Sequence, residues 1–279
     1  LSPQLRGSTD LEQTLKKAES IVCAIPTQEI RRVFSPHSDL LNSKSIVNVS
    51  KGIEIGTHAR VSEIFESLAP KAKYAVLSGP SFALEVIQRL PTLVTVASAD
   101  PAFSSEIQKM LSNSYFRVYT SPDIVGVELA GSLKNVIAIA SGIVVGLRLG
   151  YNAQAAIINR GMAEMIRMGK AKGAQALTFL GLAGMGDLIL TCTGPLSRNR
   201  KLGLALGEGK KLEQIQKELG GVAEGVYTSR SARELAQESR LEMPIAEQVY
   251  EIIYQGKTPQ EALEELMSRG LKEEWDTQK

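Results

Sequence analysis

Apolar positions fall into two regimes along this chain. Up to about residue 120, short apolar runs alternate with amphipathic stretches. The runs Ser20–Ile25, Ser45–Ser50, Tyr74–Leu77, Thr92–Ser98 and Tyr115–Tyr119 read as strands. Helical spacing appears over 27–34, 61–68 and 104–112. Continuous apolar strands separated by helices predict a largely parallel sheet covered on both faces. From Asp123 the strands stop. Apolar residues three and four apart predict helices over 124–147, 153–170, 174–180, 198–206, 211–219, 226–238, 244–254 and 259–267. Thr258-Pro259-Gln260-Glu261 is a helix start with proline in the first turn. The chain is therefore read as α/β: a sheet domain over 1–120 and an all-helical domain over 121–279.

Composition narrows the function. With 279 residues, 43% hydrophobic and 22% charged, the chain has the make-up of a globular protein with room for two domains. Its 32 basic and 30 acidic residues leave a net charge of +2, so there is no basic field for nucleic acid. The longest apolar run, Val136–Leu147, is broken by Ser141, Gly142 and Gly146 and is too short to predict a membrane span. Cys23 and Cys192 have no neighbours at metal-ligand spacing, so neither a metal site nor a disulfide framework is expected, and the usage fits a cytoplasmic protein. His37 and His58 both lie in polar stretches. Acid/base chemistry must therefore fall to Lys, Asp or Glu.

Lys134 is the first candidate, because it interrupts the apolar run that opens the helical half. A lysine there either lays its stem on apolar surface with its head in water, or is desolvated and poised to trade protons near neutral pH. Other candidates lie in loops. Lys51 follows the second strand, and Ser78-Gly79-Pro80-Ser81-Phe82-Ala83 follows the third. Ligands of open parallel sheets bind outside such strand ends. Gly181-Leu182-Ala183-Gly184-Met185-Gly186-Asp187 is a glycine-rich turn that delivers one carboxylate, which either faces a ligand or caps a helix. Ser197-Arg198-Asn199-Arg200 combines a helix start with planar cationic donors and an amide. It is either an anion clamp suited to phosphate or a solvated basic turn.

Taken in order, 50–54, 78–86, 126–142, 152–161, 181–191, 197–203 and 222–225 resemble the bacterial-type NAD(P)-dependent glycerol-3-phosphate dehydrogenases. The resemblance implies a nucleotide-binding sheet domain, a helical substrate domain and an active site between them. It also implies interconversion of sn-glycerol 3-phosphate and dihydroxyacetone phosphate with NAD or NADP, feeding glycerophospholipid synthesis. By resemblance, Lys134 is the proton donor and acceptor and touches substrate, and Lys51 touches both substrate and cofactor. Gly79, Ser81, Asp187, Ser197, Arg198 and Asn199 are substrate positions. Ala83, Arg198, Val222 and Glu224 are cofactor positions. The partner is a small phosphorylated substrate, with a homodimer as a possible assembly.

One departure stands out. The G-x-G-x-x-G turn of a dinucleotide-binding domain is not found in these residues, so the sheet domain is expected to be an incomplete Rossmann-like unit. The 279-residue chain is accordingly expected to bind NAD(P)H poorly and to be inactive by itself, which a cofactor titration checks. The alternatives are another NAD(P)-dependent reductase of the same architecture, and a non-catalytic fragment serving as an oligomerisation module.

Overall fold

The computed structural model describes residues 4–221, 223–271 and 273–274. Five strands form one sheet in the order β1-β2-β3-β4-β5: β1 (Ser20–Cys23), β2 (Ser45–Asn48), β3 (Lys73–Ser78), β4 (Thr92–Ala97) and β5 (Phe116–Ser121). Their helices are α1 (Leu11–Lys17), α2 (Thr27–Phe34), α3 (Ser38–Leu41), α4 (Val61–Leu68), α5 (Ala83–Ile87) and α6 (Pro101–Leu111). The pairs β1–β2, β2–β3 and β4–β5 are parallel.

The pair β3–β4 is antiparallel, with Ser78 opposite Thr95. The connection explains this. It holds only the five-residue α5, which rises about 7.5 Å. A six-residue strand runs roughly 20 Å, so the chain turns back instead of crossing over. The sheet is mixed rather than uniformly parallel. One face packs on Ile30, Phe34, Ile46, Ile64 and Phe65, and the other on Val94, Phe103, Ile107 and Val118.

Among the described residues helices alone follow: α7 (Ile124–Gly146), α8 (Gly150–Ala171), α9 (Ala176–Leu180), α10 (Asp187–Thr193), α11 (Arg198–Gly207), α12 (Leu212–Glu218), α13 (Glu224–Glu238), α14 (Pro244–Tyr254) and α15 (Pro259–Ser268). A π-helical turn, Leu182–Gly186, leads into α10. The Asp123 side chain caps α7 by accepting from the Gly126 N–H, and it also accepts from the Gln175 N–H and the Thr178 hydroxyl. Residues 126–144 of α7 are all buried. Run length had argued against a membrane span, yet α7 is long and apolar enough to cross one, with a mean hydropathy of 1.6. Here 89% of that window lies inside the protein, because α8, α10, α11 and α13 all pack around it.

The α7–α11 crossing is unusually close. A Cβ on Gly142 would stand 2.2 Å from the Arg200 carbonyl oxygen, and one on Gly203 would stand 2.0 Å from the Ile139 carbonyl oxygen. Gly146 and Gly207 extend the same contact one turn on. Backbone therefore lies on backbone, and the first turn of α11 is brought alongside the middle of α7.

Two buried carboxylates tie elements together, one joining the sheet domain to α7 and the other joining α8 to α14. Glu128 on α7 accepts from the Ser62 N–H (2.8 Å), the Ser62 hydroxyl (2.5 Å), the Tyr74 hydroxyl (2.6 Å) and Arg60 (3.1 Å). Burial still holds its carboxyl above the usual range, with Ser62, Tyr74 and Arg60 opposing. At the far side, Glu164 on α8 accepts from the N–H groups of Ile245 and Ala246 and so caps α14.

Candidate active site

Three parallel strands present their carboxyl ends along one edge of the sheet. Lys51 leaves β2 there, and Ser78-Gly79 leaves β3. Gly79 has φ +150°, and a Cβ on it would stand 2.9 Å from the Val94 Cα. Only glycine fits that turn, where the chain doubles back beside β4. The Ser81 hydroxyl donates to the Gly79 carbonyl (3.1 Å). Lys51, Ser78, Ser81 and Ala83 line one cavity of about 290 Å³. A larger cavity of about 600 Å³ opens beside β5, around Lys109 and Arg117, and holds none of the candidate residues.

The helical half meets this edge through α7 and α10. Lys134 is only 6% exposed, so its amine does not reach bulk water. Its Nζ lies 2.9 Å from Asp187 Oδ1, and Lys51 Nζ lies 2.5 Å from Asp187 Oδ2. One buried carboxylate thus holds two ammonium groups from opposite halves of the molecule. Burial lowers the Lys134 pKa first, the charge of Lys51 lowers it further, and Asp187 opposes both, leaving it at about 8. Burial pushes the Asp187 carboxyl upward, but the two lysines overcome this and hold it below the usual carboxylate range. The π-helical turn explains the placement: Asp187 starts α10 directly and points into the core instead of capping the helix.

Thr191 belongs to this cluster although its sequence context did not single it out. Lys134 Nζ donates to the Thr191 hydroxyl (2.6 Å), which donates in turn to the Asp187 carbonyl (2.6 Å). A signal was available, since Thr191 lies one helical turn beyond Asp187.

The basic helix start lies next to this cluster. The Ser197 hydroxyl accepts from the Arg200 N–H and caps α11. Arg198 is exposed, and its guanidinium donates to the Gly221 carbonyl (3.2 Å). Asn199 is buried, and its side-chain oxygen accepts from the Gly225 N–H (3.0 Å), which leaves its amide NH₂ as a donor. A Cβ on Gly225 would meet both the Asn199 Oδ1 (2.6 Å) and the Asn135 carbonyl (2.9 Å). Gly225 therefore wedges the residue after Lys134 against the residue after Arg198. Among the described residues no hydrogen bond or ion pair joins Arg198 to Lys134, so the tip is a neighbour of the lysine–aspartate cluster and not part of it.

Glu224, beside this wedge, faces Gly52. Among the described residues its Oε2 and the Thr27 Oγ1 are buried without hydrogen-bond partners, and both lie within 3.2 Å of a Cβ built on Gly52. Burial raises the Glu224 pKa, with Arg198 opposing. Two orphaned buried oxygens fit hydroxyl or amide groups of a bound molecule. Val222, the other residue expected here, lies outside the described residues.

In chemical terms, a buried amine with a lowered pKa stands beside a strand-end cavity, and a cationic helix tip stands close by. That combination can give a proton to a carbonyl oxygen whose carbon skeleton ends in an anion.

Comparison with known proteins agrees. The family described as "NAD-dependent glycerol-3-phosphate dehydrogenase N-terminus" matches residues 1–104, and the corresponding C-terminus family matches 123–264. A glycerol-3-phosphate dehydrogenase [NAD(P)+] of Geobacter sp. (strain M21) is 50% identical over 278 residues, covering 98% of this chain and 83% of the relative. The crystal structure of glycerol-3-phosphate dehydrogenase from Coxiella burnetii superposes with a TM-score of 0.90 at 41% identity, covering 93% of this chain and 80% of that one. A ketopantoate reductase from Ralstonia eutropha JMP134 shares the fold alone, at a TM-score of 0.55 and 12% identity.

Proposed function

The chain belongs to the family of NAD-dependent glycerol-3-phosphate dehydrogenases, and on that premise we propose that it interconverts sn-glycerol 3-phosphate and dihydroxyacetone phosphate with Lys134 as proton donor and acceptor. It is an NAD(P)-dependent oxidoreductase. The observation that carries the residue assignment is the shared carboxylate: Asp187 holds Lys51 and Lys134 at once.

In the reducing direction the C2 carbonyl oxygen must gain a proton while the carbon gains a hydride. Lys134 donates that proton and polarises the carbonyl beforehand. Thr191 fixes its amine through the 2.6 Å contact. Lys51 adds positive charge where the alkoxide develops and helps keep Lys134 acidic enough to give up its proton. In the oxidising direction the neutral Lys134 amine takes the proton back. Gly79 and Ser81 border the carbonyl end of the substrate. Arg198, the Asn199 amide and the capped start of α11 at Ser197 receive its phosphate. Gripping the remote phosphate positions the reacting carbon and so contributes to rate.

When bound, the nicotinamide cofactor supplies or accepts the hydride at C2. Lys51, Ala83, Arg198 and Glu224 are the residues here that fit it, because they border the strand-end cavity or the orphaned oxygens at Gly52.

Several finer assignments accompany this reading. The sheet domain is taken as 1–120 and the catalytic domain as 121–279, supported by β5 ending at Ser121 and α7 starting at Ile124. A homodimer is supported by apolar side chains left uncovered on the helical half, with Tyr151 89% and Leu177 77% exposed. A cytoplasmic site is supported by two buried free cysteines, which suit a reducing compartment. Sedimentation of the purified protein checks the dimer.

The experiment that tests the central reading is steady-state reduction of dihydroxyacetone phosphate by the enzyme and its K134M variant. Turnover retained in K134M would overturn it.

A further inference from the structure

His58 stands out among the charged groups outside the cluster. Its backbone adopts φ +56°, a left-handed conformation that side chains rarely take. Its ring is gripped from both sides. Nε2 lies 2.8 Å from Glu234 Oε2, and Nδ1 lies 2.9 Å from Glu238 Oε1. A neutral imidazole can donate from only one nitrogen. The two-sided grip is therefore complete only with the imidazolium. Arg230, on the same face of α13, bonds Glu234 (3.0 Å). On the loop side the His58 N–H donates to the Glu54 carbonyl, and Arg31 occupies the Glu54 carboxylate. Arg60 is committed to Glu63 and Glu128. The two carboxylates of α13 are thus the groups that engage the ring.

The position of this grip gives it meaning. His58 ends the loop that begins at Lys51. Helix α13 runs beside that loop and touches it three times. Glu224 packs at Gly52. The Ser231 hydroxyl donates to the Ile53 carbonyl (3.1 Å). Glu234 and Glu238 hold His58. Residues 224, 231 and 238 are seven apart and so lie along one stripe of the helix. Within the loop, Glu54 and Ala59 close a turn through the Glu54 N–H and the Ala59 carbonyl. Force on His58 is thereby passed to the segment carrying Lys51.

We propose that His58 is a positioning residue: clamped between Glu234 and Glu238, its imidazolium fastens the Lys51 loop to α13 and keeps Lys51 in register with Asp187. The proposal rests on the reading of Lys51, Asp187 and Lys134 given above.

The test uses three variants of the full enzyme. H58N keeps a residue that tolerates the left-handed backbone and removes the cation. H58R restores a permanent cation, and arginine already occupies such a conformation at positions 89, 148 and 240. E234Q/E238Q removes the acceptor charges from α13. Amide hydrogen exchange of residues 52–59 reads the clamp without any turnover. Protection should fall on the order of tenfold in H58N and in E234Q/E238Q, and recover in H58R. With dihydroxyacetone phosphate, H58N should lose on the order of tenfold in kcat/KM, mainly in kcat, because a misplaced Lys51 costs orientation. Unchanged protection in H58N, or lowered protection with parental kcat/KM, overturns the proposal. Failure of the proton-transfer reading would show separately, as turnover surviving K134M while the clamp still protects the loop.

Discussion

Lys51 and Lys134 meet on opposite oxygens of Asp187, at 2.5 and 2.9 Å, although they come from a strand-end loop and from a helix interior. Burial first, and the charge of Lys51 second, hold the Lys134 pKa at about 8 and not near its ordinary value of 10.5, with Asp187 opposing both. The direction of catalysis then sets the sign of the pH dependence. Reduction needs the protonated amine, so kcat/KM for dihydroxyacetone phosphate should be flat below about 8 and fall above it. Oxidation of glycerol 3-phosphate needs the neutral amine and should rise through the same range. K134M should lower turnover by roughly 10²- to 10⁴-fold.

Replacing Asp187 by Asn leaves two ammonium groups facing each other without their shared counter-charge. The Lys134 pKa should fall further, and the alkaline limb of the reduction profile should move to lower pH. Removing one partner of a buried ion pair should also cost roughly 3 kcal/mol of stability. A pH–rate profile and a urea titration of D187N check the two effects. A profile identical to the parent's would mean that Asp187 does not act on Lys134.

Arg198 is exposed and, among the described residues, hydrogen-bonded only to a carbonyl, so losing it should barely affect folding. R198A should raise KM for dihydroxyacetone phosphate on the order of ten- to a hundredfold, the worth of a charge-assisted phosphate contact. An unchanged KM would favour a reductase of the same architecture that acts on an unphosphorylated acid.

Glu164 supplies a prediction about stability. Burial raises its carboxyl to about 7 in the folded protein, with the Ile245 and Ala246 N–H groups opposing. The folded state therefore binds this proton more tightly than the unfolded chain. The resulting stabilisation is fully present below about 4.5 and is lost as the pH rises through about 7. It is on the order of 3 kcal/mol. Denaturation midpoints of E164Q should lack this decline between pH 4.5 and 7, while the parent should show it.

Much of this architecture could be read from the residues. The strands of the sheet announced themselves as apolar runs, and α2, α4 and α14 fall where helical spacing placed them. Helix α1 escaped notice, because Leu15 is its one buried residue and gives no periodicity to detect. The reversal at β4 was invisible too, since strand direction depends on connection length and not on strand composition. Within the site, Lys134 was legible as a charge in an apolar run. Thr191 and His58 were not. Each is an ordinary polar residue locally, and its role comes from partners 57 and 176 residues away. The same limit applied to Asp187, whose inward aim follows from the π-helical turn before it.

Gly203 links packing to the site. A methyl group there would stand 2.0 Å from the Ile139 carbonyl oxygen, so G203A must push α11 off α7. Overpacking of this kind should cost roughly 1–3 kcal/mol. The displaced α11 carries Arg198 with it, so KM for dihydroxyacetone phosphate should rise together with the loss in thermal midpoint. A destabilised variant with parental KM would show that the two helices do not set the distance to the phosphate grip.

The backbone-on-backbone crossing of α7 and α11 also acts as a fixed gauge. The proposed proton donor rides on one helix and the proposed anion grip on the other. Their spacing is set by main-chain atoms pressed together at four glycines, where no side chain can be trimmed or lengthened to adjust it. If Lys134 and Arg198 hold opposite ends of the substrate as proposed, this gauge fixes the length of substrate they can share. Selectivity for substrate length is then a property of the helix seam, and redesign toward longer sugars would have to begin by prising those glycines apart.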